Sequence, residues 1–129
     1  MEAVPHAVPL PLAFADGVFP AGCPSRTLLD HITSKWGVLI LIALSEGEQR
    51  WSDLRRRAEG ISEKMLAQTL KTLERDGLVS RSAQPVIPPR VDYSLTERGY
   101  ELSGLLVPLV AWAFENAEDI INGSPAARK

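Results

Sequence analysis

One cysteine, Cys23, and two histidines, His6 and His31, are the whole thiol and imidazole content of this 129-residue sequence. A lone thiol closes no disulfide within its own chain, so any bridge must join Cys23 to a second copy or to a small thiol. These three scattered residues have no metal-ligand spacing, and no metal is expected. Long apolar runs are missing too. The longest, Trp36 to Leu44, has nine residues, against the roughly 20 that a membrane span needs. No basic start precedes an apolar stretch at the N-terminus, so no export signal is read, and the expected location is the cytoplasm with no membrane partner. There is no glycine-rich phosphate loop and no pairing of a nucleophile with a base. That removes support for an enzyme such as a thiol-dependent reductase and predicts no cofactor.

A strong net charge is also absent: the sum is −2, which alone argues against a nucleic-acid partner. The sum hides a segregation. Between Arg50 and Arg90 stand nine Lys/Arg and five Asp/Glu, a local +4, while the remainder holds five basic and eleven acidic residues. One face suited to a polyanion would produce this pattern. Chance drift over a window of this size explains the charge alone equally well.

What is present is enough apolar material, 45% of residues, for one folded domain with a single core. Residues 1–22 carry Pro5, Pro9, Pro11 and Pro20 without any period and read as a flexible arm. Residues 23–122 read as the domain, and 123–129 as a loose tail. Within the domain, a helix from Pro24 to about Ile32 has Cys23 at its N-cap. A second, capped by Ser34 and ended by Gly47, is apolar nearly all round and belongs in the middle of the core. After a short extended "EQRW", Ser52 is expected to cap a third helix ended by Gly60. Ser62 is expected to cap a fourth with Met65, Leu66, Leu70 and Leu73 on its buried face. Two β-leaning runs, "LVSRS" and "RVDYSL", flank a proline-bearing tip. Thr96 then caps a long helix in which Pro108 predicts a kink or restart. This order is mainly α with a small β-hairpin wing: a winged helix-turn-helix, α+β in class.

In the fourth helix the apolar stripe leaves Lys64, Gln68, Lys71, Thr72 and Arg75 pointing outward. Ser62, Glu63 and Lys64 stand at its start. Long polar and basic side chains on one face are the composition needed to enter a major groove, where glutamine pairs with adenine and lysine reaches guanine or phosphate. An ordinary solvated face has the same look. Arg55, Arg56 and Arg57 fan over about 200° of the third helix, so at least one must turn away from any DNA and pair elsewhere. Arg90 at the base of the wing reads either as a phosphate or minor-groove contact or as a cross-strand partner of Asp92 or a nearby glutamate. The last helix has more apolar residues than one face of a small monomer can use: Leu102, Leu105, Leu106, Leu109, Val110, Ala113, Phe114, Ala117, Ile120 and Ile121. A homodimer formed through the terminal helices would bury them.

Three segments, "CPSRTLLDHITSKWGVLILIAL", "RWSDLRRRAEGISEKMLAQTLKTLERDGLVSR" and "PPRVDYSLTERGYEL", resemble in content and order the HxlR-type bacterial transcriptional regulators, from about Cys23 to Trp112. Thr33 and Ser34 stand where that family often has a glycine pair, and the arm is longer than usual. The resemblance implies a transcriptional regulator, and twofold pairing of the homodimer would set its fourth helices about 34 Å apart, so the expected target is a near-palindromic operator in double-stranded DNA. It favours the groove-reading interpretation of Ser62, Glu63, Lys64, Gln68, Lys71, Thr72 and Arg75, with Arg55 or Arg56 at the phosphate backbone; Arg90 stays open between a DNA contact and a carboxylate pair. It also implies for Cys23 a role as sensor of oxidants or electrophiles, bridging subunits or accepting a small-thiol cap. The alternatives are an inert, packed thiol and, for the whole chain, a protein-interaction module without DNA binding.

Overall fold

The segment Lys35–Leu44 forms the central helix of the computed structural model, which describes residues 21–123. The expected arm and tail lie almost wholly outside the described residues. In chain order the elements are α1 (Pro24–Ile32), α2 (Lys35–Leu44), β1 (Gln49–Arg50), α3 (Trp51–Arg57), α4 (Glu63–Arg75), β2 (Val79–Gln84), β3 (Arg90–Leu95) and α5 (Glu97–Asn122). The strands form one antiparallel sheet in the order β1-β3-β2. The fold is a winged helix-turn-helix, with α3 and α4 as the two helices and β2–β3 as the wing.

Burial explains why α2 is central. Ile40, Leu41 and Leu44 are fully enclosed, and Leu54, Leu66, Leu70, Leu73, Val79, Tyr93 and Leu95 pack around them from the other elements. Each enclosed leucine contributes about 2 kcal/mol over leaving it in water. Hydroxyl caps start three of the helices: Ser34, Ser62 and Thr96 accept the amide hydrogens of Gly37, Met65 and Gly99 at 3.1, 3.0 and 3.2 Å.

Several expectations need correction. Helix α2 stops at Leu44, short of Gly47, because the amides of Glu46 and Gly47 turn back to the carbonyls of Ala43 and Leu44 in a tighter turn. Ser52 is not the cap of α3. The helix already begins at Trp51, and the Asp53 carboxylate reaches back to the amide of Arg50 at 3.2 Å. Met65 is exposed, while Thr69 takes the buried place expected of it. Pro108 sits inside α5, which is one helix from Glu97 to Asn122, so the chain does not restart there.

Helix α5 divides into two halves. Thr96 also donates to the Gly77 carbonyl at 2.6 Å, fixing the start of α5 to the turn before β2. Gly99 allows the closest approach, since a Cβ there would lie 2.2 Å from the Leu78 carbonyl oxygen. Gly99, Ser103 and Leu106 are buried. Leu106 thus belongs to this chain's own core and not to the surplus offered to a partner, and half-buried Leu102 packs beside it. Beyond Leu106 every described α5 residue is exposed or half-buried, so the distal 16 residues, about 24 Å of helix, stand off the body.

Candidate nucleic-acid interface

The turn between α3 and α4 sets the interface. Gly60 adopts φ +92°, a backbone state that L side chains rarely occupy, and Ile61 beside it is buried as an anchor. Ser62 then launches α4. At 100° per residue, the buried Leu66, Thr69, Leu70 and Leu73 cluster about one direction, and Lys64, Gln68, Lys71 and Arg75 fall within about 60° of the opposite one. All four are exposed, and none of their side chains makes a hydrogen bond or ion pair among the described residues. They form a continuous, unengaged stripe along the outer face.

The remaining candidates on α4 differ. Thr72, expected to point outward, is half-buried and lines a crevice with Asp30, His31, Gln68 and Thr69. Its helical angle places it between the stripe and the core, facing the α1–α2 corner. Glu63 is exposed but bonded to Arg55 of α3, Nη1 to Oε1 3.2 Å. Ser62 uses its oxygen as the cap, which leaves its hydroxyl hydrogen free to donate outward.

The arginines of α3 are all paired. Arg56 bonds Asp53 at 3.2 Å, Arg57 bonds Glu46, and Arg55 bonds Glu63. More of them form surface pairs than the helical fan required. Arg90 bonds Asp92 through Nε at 3.0 Å, along the same strand and not across strands as expected; the cross-strand neighbours of Asp92 are Arg50 and Ser82. One basic residue passed over as a site is Arg81. It pairs in register with Tyr93 and lines a cleft with Lys71, Glu74 and Trp51 beside α4. Its alternation in β2 was the available signal, but the face could be chosen only once the pairing partner was known.

At the start of α1, Cys23 is half-buried with its Sγ 2.8 Å from the Ser25 hydroxyl. That side-chain bond, followed by the Ser25 backbone amide, holds the thiol below the ordinary cysteine range. Farther along α1, Leu28 and Leu29 are exposed. On α5, Leu105 (70%), Leu109, Trp112, Phe114 (79%), Ile120 and Ile121 are exposed as well. Val110, Ala113, Phe114 and Ala117 line one shallow apolar groove.

The HxlR-like helix-turn-helix pattern matches residues 31–120. The HTH-type transcriptional regulator YtfH of Escherichia coli is 52% identical over 104 residues, which cover 81% of this chain and 82% of that protein. Among solved structures, a protein named as a transcriptional regulator, YtfH of Salmonella typhimurium, superposes with a TM-score of 0.77 at 50% identity, covering 81% of this chain and 94% of that one. The redox regulator HypR in its oxidized form superposes with a TM-score of 0.68 at 35% identity, covering 73% and 97%.

Proposed function

The chain belongs to the HxlR-like helix-turn-helix family and is a transcriptional regulator, and on that premise we propose that two copies bind a near-palindromic operator in double-stranded DNA. The observation that carries this reading is the unengaged stripe of Lys64, Gln68, Lys71 and Arg75 directly opposite the buried face of α4. Gln68, in the first half of the helix, is suited to a base edge, and Lys71 and Arg75 to phosphates. Ser62, Glu63 and Lys64 approach the groove floor. Arg55 and Arg56 exchange their exposed or partly exposed carboxylate partners for the backbone as the helix docks, a cheap exchange because pairs near solvent contribute little.

Pairing through the apolar faces of α1 and distal α5 supplies the second copy. Leu102, Leu105, Leu109, Ala113, Phe114, Ala117 and Ile120 form the seam, and twofold symmetry sets the two α4 helices about 34 Å apart. Cys23 is the input for signals: as thiolate it attacks the disulfide of an oxidised small thiol, forming a mixed disulfide and releasing the other thiol. Its lowered pKa and the likeness to a redox regulator support that role. Residues 23–122 act as the regulator.

The test is binding to the DNA flanking its own gene, by fluorescence anisotropy across a salt series, with and without oxidised glutathione. The expected result is affinity that falls steeply with salt and shifts on oxidation. Failure to bind at low salt would overturn the DNA-binding reading, and indifference to oxidation would overturn the role given to Cys23.

A further inference from the structure

Asp92 is a carboxylate with only 3% of its surface exposed. Strand alternation puts Val91, Tyr93 and Leu95 on the core face of β3 and Arg90 and Asp92 on the other. A carboxylate so enclosed is costly unless it is paired, and its ion-pair partner is Arg90, through Nε at 3.0 Å. Arg55, Arg56 and Arg57 have exposed or partly exposed partners that solvent or phosphate can replace. The partner of Arg90 is buried, so solvent or phosphate replaces it far less readily. Only Nε is used. The Nη hydrogens make no hydrogen bond among the described residues, and the side chain is 42% exposed. A guanidinium fixed at Nε with its Nη edge open is a rigid two-pronged donor, the shape that matches a phosphate. Arg90 lines a cleft together with Arg50, Ser52 and Pro89, so a second guanidinium and a hydroxyl stand around the same space.

We propose that Asp92 is a positioning residue for DNA binding: it locks Arg90 as a phosphate fork at the base of the wing, beside Arg50 and Ser52. This rests on the DNA-binding reading above. Its consequence runs against simple electrostatics. Removing a negative charge from a DNA-binding face should tighten binding through space, whereas releasing Arg90 should weaken it.

The experiment measures affinity for a mixed-sequence duplex of about 30 base pairs at about 50 mM salt, which needs no knowledge of the operator. Asp92→Ala is expected to weaken binding on the order of tenfold. Asp92→Asn keeps an oxygen to accept from Nε and should recover most of the loss. In an Arg90→Gln background, Asp92→Ala should cause no further weakening. Arg90→Lys preserves the charge against Asp92 but not the fork, and should bind as weakly as Arg90→Gln with melting close to wild type. Asp92→Ala binding as tightly as wild type, or weakening the Arg90→Gln protein further, would overturn the proposal. If Asp92→Ala does not fold, Arg90→Lys binding like wild type overturns it instead. Wild-type protein that ignored the duplex would overturn the DNA-binding reading itself.

Discussion

His31 in the last turn of α1 and Asp76 at the end of α4 meet at 2.7 Å between Nδ1 and Oδ2, across 45 residues of sequence. Both are partly buried, so the bond ties the helix headed by Cys23 to the end of the helix carrying the outward stripe. Removing one partner leaves the other underbonded. Asp76→Ala is expected to lower unfolding stability by about 1 kcal/mol, with the urea midpoint reduced and the slope unchanged.

The apolar surplus of distal α5 gives a second outcome. Leu109 is exposed in the single chain, so an aspartate there does not disturb the monomer core. Leu109→Asp should sediment as a monomer with an intact circular dichroism spectrum, and should lose at least about a hundredfold in operator affinity as the two half-sites uncouple. A variant that remained dimeric would remove α5 from the seam.

Cys23 reactivity should follow the Ser25 contact. The thiolate is the reactive form, and the hydrogen bond from the Ser25 hydroxyl favours it, so alkylation should reach its plateau at a lower pH than for an ordinary thiol. Ser25→Ala removes the largest cause of the shift. The midpoint of the rate-versus-pH curve should move upward, and iodoacetamide modification near neutral pH should slow.

Gly99 brings α5 close against Leu78 and Leu95. Gly99→Ala forces a methyl group toward the Leu78 carbonyl and the Leu95 side chain, and should cost on the order of 2 kcal/mol, read as a lower melting temperature.

Much of the fold was legible in the sequence where one local interaction decides the outcome. Ser34, Ser62 and Thr96 each precede an apolar period and each caps a helix. Ser52 misled because the helix already begins at Trp51, with Asp53 in its first turn reaching back to the Arg50 amide. The outward face of α4 was legible because Leu66, Leu70 and Leu73 fix its opposite, but Thr72 lies at the margin, where the α1–α2 corner decides its burial. In α5 the apolar residues run nearly all round, so periodicity could not show that Leu106 turns to the core and Leu105 to solvent. The bond between His31 and Asp76 has no local signature, and the arginine partners depend on which side chains the turns bring together.

Hydroxyl-radical footprinting on the DNA flanking the gene tests most directly whether paired α4 helices occupy successive major grooves. The expected result is two protected patches centred about one helical turn apart, with a two-fold related sequence beneath them and protection lost in Leu109→Asp. Uniform cleavage along the duplex at low salt, or a single patch that Leu109→Asp leaves unchanged, would contradict it.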